Sequence, residues 1–189
     1  VNAVEGISRV VEALGSYRDE LLARDPHSLC GHARCCPSVV RGGTIVSTVP
    51  DYCELEVDRR TVPGETLESV RAELEVLVGR VRDINPDFEF EIEGPTISIG
   101  ALDVPGDHEG VSALLRAVEQ ISGEPCAAQA FFGGTDAPNF GFPMLIYGAG
   151  SIAQAHSINE YVDIDDWMTA TRAYLMALVS LSAPRALAD

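Results

Sequence analysis

Residues 51–81 read DYCELEVDRRTVPGETLESVRAELEVLVGRV, and the change of rhythm inside this stretch decides the fold class. From Tyr52 to Arg60 the side chains alternate. Cys53, Leu55 and Val57 fall on one side, Glu54, Glu56 and Asp58 on the other, which is the pattern of a half-buried strand. TVPGET is a turn that feeds a helix, with Thr66 placed to cap it and Glu68 to complement its dipole. The period then becomes helical, with Leu67, Val70, Leu74, Leu77, Val78 and Val81 on one stripe.

Working outward, Val4, Ile7, Val10, Val11 and Leu14 predict a helix over residues 1–15, with Gly15 as its stop. Residues 18–37 read as polar and irregular. Ser38–Val46 reads as a strand interrupted by two glycines. Phe88, Phe90 and Ile92 alternate with Glu89 and Glu91, predicting another strand. Helices on one face of a small antiparallel sheet satisfy this order. Residues 93–110 read as a crossover. Beyond it, Val111, Leu114, Leu115, Val118 and Ile121 predict a helix. Short strands follow near Ala127–Phe131 and Met144–Tyr147. A last helix is expected from Asp165, its stripe carrying Trp167, Ala170, Tyr174, Leu178 and Leu181. The class is α/β.

Composition excludes several functions. The formal net charge is -16, which opposes binding to a phosphate backbone, so no nucleic-acid partner is expected. All 13 basic residues are arginine, so chemistry that needs a lysine, such as a Schiff base or a P-loop, is excluded. No apolar run is long enough for a membrane span. The five cysteines are odd in number and no leader segment is visible, so a reduced, cytoplasmic setting is expected. The chain does not begin with Met, which suits a fragment or a processed product.

Four places hold residues suited to chemistry. His156 lies in a polar loop just past an apolar strand, where α/β sheets bind ligands. It reads either as a metal ligand, with Glu160 fixing its tautomer, or as a loop histidine bonded to backbone. In GGTDAPNF, Thr135 and Asp136 can bond a substrate or cap a short helix. Cys30, His32, Cys35 and Cys36 can be imagined around zinc. Adjacent Cys35 and Cys36 are badly spaced for one tetrahedral ion, and small thiols in an irregular loop are the alternative. At the end of VDRR, one of Arg59 and Arg60 can grip a carboxylate, leaving the other solvated or paired with Glu54 or Glu56.

Three stretches in order, GGTIVSTVPDYCELEVDRRTVPGET, GGTDAPNF and GAGSIAQAHSINEYVDIDD, resemble the dinuclear zinc metallopeptidases and deacylases that include acetylornithine deacetylase and succinyl-diaminopimelate desuccinylase. The resemblance implies that residues 1–95 form a two-layer α/β sandwich, a lid or dimerisation domain lacking its first strand. It implies that residues 96–189 are the C-terminal part of an α/β catalytic domain. It places His156 on the last metal ligand, with Asn159 and Glu160 supporting it. Ser47 stands where the family usually has an asparagine that contacts substrate, and Pro138 where many members have arginine. Arg60, Thr135 and Asp136 join Ser47 as expected substrate contacts.

The implied cofactor is zinc, two ions per complete site, with cobalt or manganese as replacements. The implied activity is hydrolysis of the amide bond of N-acyl amino acids or small peptides. The implied partners are a second copy through the lid, and a separate N-terminal half holding the remaining ligands and the catalytic base. Without that half the chain is expected to be inactive and to associate or lose order beyond residue 100. The alternative is a non-catalytic dimerisation module descended from such an enzyme.

Overall fold

A computed structural model describes residues 1–183; the last six residues of the expected 96–189 segment lie outside the described residues. The fold is mixed α/β, with four α-helices and one two-stranded sheet among the described residues. The chain divides into two compact units, Val1–Ala101 and the remainder from Leu102.

In the first unit, α1 runs Ala3–Ala23, β1 Arg34–Gly42, β2 Cys53–Arg60 and α2 Leu67–Ile84. Helix α1 passes through Gly15 without stopping. A Cβ there would meet only the far end of Arg18, so the glycine marks an open surface and no turn. Residues 18–23, expected to be irregular, are helical because Tyr17 and Leu21 continue the buried stripe of Val10 and Leu14.

Strand β1 starts earlier than expected, inside the cysteine-rich stretch, and ends at Gly42. It pairs antiparallel with β2, Arg34 opposite Arg60 and Gly42 opposite Cys53, with a register shift between Pro37 and Val39. The irregularity accommodates a proline that has no N–H for the ladder. Strand β2 is as alternation predicts: Leu55 and Val57 pack on the core, and Glu56 and Asp58 are exposed. Thr66 caps α2, but its partner in the capping box is Ser69, whose hydroxyl accepts the Thr66 N–H at 2.9 Å. The core joins Val10, Leu14 and Leu21 of α1 with Leu77, Val78 and Val81 of α2 and Cys35 of β1.

A polar network borders this core. Arg59, whose side chain is 6% exposed, grips Glu65 through two guanidinium N–H groups and donates to the Tyr17 hydroxyl at 3.1 Å. Tyr17 in turn donates to Glu73, which Arg24 holds at 3.0 Å. Burial and the Glu73 carboxylate push the Tyr17 phenol up to about 12. In a spectrophotometric alkaline titration, one of the five tyrosines should ionise last, near that pH, and Tyr17→Phe should remove that step. Because the folded value is raised, the stabilisation it brings is complete below pH 10 and is lost as pH climbs towards 12.

Three stretches expected as strands join no ladder among the described residues: 88–92, 127–131 and 144–147. An extended segment becomes a strand only when a neighbour supplies its hydrogen bonds. Two carbonyls of the first stretch, Phe90 and Ile92, instead accept from Arg82 and Arg71 of α2.

The second unit is built on α3, Glu109–Ser122, packed against α4, Ile164–Ser182. Helix α4 begins at Ile164, one residue before the expected Asp165, and Asp163 caps it. Of the predicted stripe Ala170 is buried, joined by Ala173 and Ala177, while Trp167, Tyr174, Leu178 and Leu181 are exposed. Ala117 of α3 sits in the same cluster as Ala173 and Ala177, and small residues let the two helices approach closely. Ala173 has no exposed surface, so Ala173→Leu should destabilise this unit by about 1–3 kcal/mol through overpacking. Urea denaturation followed by fluorescence of Trp167, the one tryptophan, checks this.

Candidate functional site

His156 lies in the loop between the extended 144–147 stretch and α4. Both ends of that loop are fixed. At its start, the Tyr174 hydroxyl on α4 donates to the Tyr147 carbonyl, and the two rings meet edge to face with centroids 5.3 Å apart. At its end, the Asp163 carboxylate accepts the Asp165 N–H at 2.8 Å. The loop also closes on itself. Gly150 has φ +83, and a Cβ there would lie 3.5 Å from a methyl of Val162. A short 3-10 turn, Ile152–Gln154, follows with Ser151 as its cap.

The backbone then does something costly. His156 has φ 63, the only left-handed non-glycine residue among the described residues. Such a conformation costs an L-residue roughly 1–2 kcal/mol. The side chain is exposed and makes no hydrogen bond among the described residues. The alternative reading, a loop histidine bonded to backbone, is therefore not what the structure presents. The strain aims an unengaged imidazole outward, an arrangement that collects at functional sites. Asn159 and Glu160 are exposed in the turn behind it, and Glu160 makes no hydrogen bond to His156.

In the loop 133–140, Asp136 occupies the cap position of the short helix Ala137–Phe140, and the side chain that caps it is that of Thr135, whose hydroxyl accepts the Ala137 N–H at 3.3 Å. The Asp136 carboxylate is exposed and makes no capping bond. Gly133 is needed because the Phe131 ring folds over it; a Cβ would come within 2.6 Å of that ring.

Ser47 and Arg60 belong to the first unit. Ser47 is exposed in the turn after β1. Arg60 is exposed and bonds Asp58 at 2.8 Å, while Arg41 takes Glu54 and Glu56. The bidentate grip foreseen for one of the two arginines is internal, from Arg59 to Glu65. Cys35 is buried and Cys36 exposed, as neighbours on a strand must be, so their sulfurs do not converge.

Among the described residues, no three of His, Cys, Asp or Glu gather where one metal ion could touch them all. A zinc centre asks for about three protein ligands and a water. His156 alone does not meet that demand, so these residues by themselves do not build a metal centre.

Comparison with known proteins decides the family. The model of peptidase family M20/M25/M40 matches residues 5–180. The chain belongs to that family. This M20 chain is 28% identical, over 95% of its length and 46% of the relative, to the N-formyl-4-amino-5-aminomethyl-2-methylpyrimidine deformylase of Bacillus subtilis strain 168. It is 29% identical to the acetylornithine deacetylase of Proteus mirabilis strain HI4320, over 87% of the chain and 42% of the relative. It is 28% identical to that of Pasteurella multocida strain Pm70, over 95% and 46%. The M20 chain thus spans less than half the length of these curated relatives. No helix of the described residues is long and apolar enough to cross a membrane.

The anchoring pair Tyr147 and Tyr174 was invisible in the sequence. The two residues lie 27 positions apart, and neither position carries a motif.

Proposed function

We propose that this chain is part of a metal-dependent amidohydrolase that removes an acyl group from the nitrogen of a small substrate, with His156 as one metal ligand. The observation that carries the reading is the outward-aimed, left-handed His156 within a chain of the M20 family. The names of the relatives describe deformylation and deacetylation, which fit an N-acyl substrate. The metal is zinc, two ions per complete centre, replaceable by cobalt or manganese. The remaining ligands and the general base come from polypeptide outside these residues, so the chain is expected to be inactive alone.

The first unit serves as the lid, a two-layer sandwich that pairs two copies. Ser47 and Arg60 from that unit, and Thr135 and Asp136 from the second, contact the substrate. Asn159 and Glu160 support His156. The setting is cytoplasmic.

The test uses the longest native reading frame that contains these residues, assayed on N-acetyl and N-formyl substrates. Hydrolysis should vanish on chelation and return with zinc. A second reading, a dimerisation module without catalysis, is favoured by the lack of a three-ligand cluster among the described residues. A dimer that binds no zinc and hydrolyses neither substrate would establish it.

A further inference from the structure

Between the end of β2 and the start of α2, one buried ion pair ties down the backbone of the segment RRTVPGE. Val62–Glu65 is a tight turn. The Glu65 N–H donates to the Val62 carbonyl at 3.1 Å, Pro63 brings its fixed φ, and Gly64 takes φ +94. The Glu65 side chain folds back over this turn, and its carboxylate accepts the Val62 N–H at 3.0 Å. Arg59 closes the ring. Its guanidinium bonds both Glu65 oxygens, and the Nη1 that makes one of these bonds also donates to the Arg60 carbonyl at 2.6 Å. The backbone on both sides of Thr61 is therefore tied to one pair, Arg60 through its carbonyl and Val62 through its N–H.

The side chain of Arg60 goes the other way. It is 64% exposed, against 6% for Arg59. Its Nε donates to Asp58 at 2.8 Å, and its two terminal nitrogens make no hydrogen bond among the described residues. Those two nitrogens form the fork that matches a carboxylate. A long, flexible side chain binds well only when its freedom is already restricted, and here Asp58 restrains Nε while the backbone beneath is fixed. A buried ion pair adds little to stability over two well-packed apolar side chains. What apolar side chains could not supply at positions 59 and 65 is the bonds to the Arg60 carbonyl and the Val62 N–H.

We propose that Arg59 and Glu65 are positioning residues: together they fix the backbone of Arg60 so that its open guanidinium end meets the carboxylate of an N-acyl amino acid. The assignment rests on the reading of Arg60 as a substrate contact.

The test uses the longest native reading frame that contains these residues and two substrates, N-acetylalanine and N-acetylalaninamide, which differ only at the carboxylate. The variants are Arg60→Ala, the pair replacement Arg59→Met with Glu65→Leu, and all three changes together. The pair replacement removes both charges at once and should keep the fold. Arg60→Ala should raise KM for N-acetylalanine about ten- to a hundredfold, the worth of a hydrogen bond to a charged group. The pair replacement should raise the same KM about tenfold with kcat within about twofold of wild type, because binding is lost and chemistry is not. It should leave KM for N-acetylalaninamide within about twofold. In the triple variant it should add nothing to the loss from Arg60→Ala. Glu65→Gln, whose amide oxygen can still accept the Val62 N–H and an Arg59 N–H, should keep KM within about threefold of wild type.

Equal losses on the two substrates, or effects that add in the triple variant, would make the pair a structural support and overturn the proposal while Arg60 stays a substrate contact. Arg60→Ala without effect on KM would overturn the contact and the positioning role together. A frame that hydrolyses neither substrate would overturn the amidohydrolase reading, and the positioning role with it.

Discussion

Arg59→Ala should lower the stability of the first unit by about 3–5 kcal/mol, measured by urea denaturation followed by circular dichroism. The magnitude comes from what is left behind. Glu65 is 14% exposed, and without Arg59 its carboxylate keeps only the Val62 N–H at 3.0 Å and the more distant Arg24 at 3.5 Å. Tyr17 loses the donor that polarises its hydroxyl. Arg24, bonded to Glu73 and close to Glu65, offsets part of the loss, so the lower end of the range is expected. Arg59→Lys should not rescue, because an ammonium cannot reproduce the two-point fork. Arg59→Met combined with Glu65→Leu should recover much of the loss, since it removes both charges together. A cost below about 1 kcal/mol for Arg59→Ala would instead be that of a solvated pair.

This network also marks the limit of what the sequence discloses. Arg59 and Arg60 sit side by side, and alternation alone says they face opposite ways. It does not say which of the two is buried, because Tyr17 and Glu73, which close over Arg59, come from two helices. Local signals read well. The alternation of β2, the Thr66 cap and the stripe of α2 each depend on neighbours within a few residues, and they hold except at Leu67, the first residue of α2, which is exposed. Signals that need a partner read badly. The stretches near 88–92, 127–131 and 144–147 have the composition of strands, but the described residues provide no neighbour for them. In α4 the larger apolar side chains suggested the buried face, and close packing against α3 chose the alanines. Gly15 looked like punctuation and lies in mid-helix.

The candidate loop was half legible. Its position after an apolar run, and its likeness to a metal-binding segment, drew attention to His156. Its left-handed backbone did not show, because a histidine, unlike a glycine, gives no hint of positive φ. That conformation nevertheless supplies the sharpest test. A glycine at this position relieves the strain and removes the imidazole in one change.

His156→Gly should therefore be made in the longest native reading frame that contains these residues. Zinc content, unfolding midpoint and hydrolysis of an N-acetyl substrate should be measured on the same preparation. The account predicts unchanged or higher stability, by up to about 1 kcal/mol. It also predicts loss of bound zinc and a fall in kcat/KM of about a thousandfold, which is roughly 4 kcal/mol of lost transition-state stabilisation. Full zinc content and full activity in the glycine variant would contradict the assignment of His156 as a metal ligand, and with it the central claim.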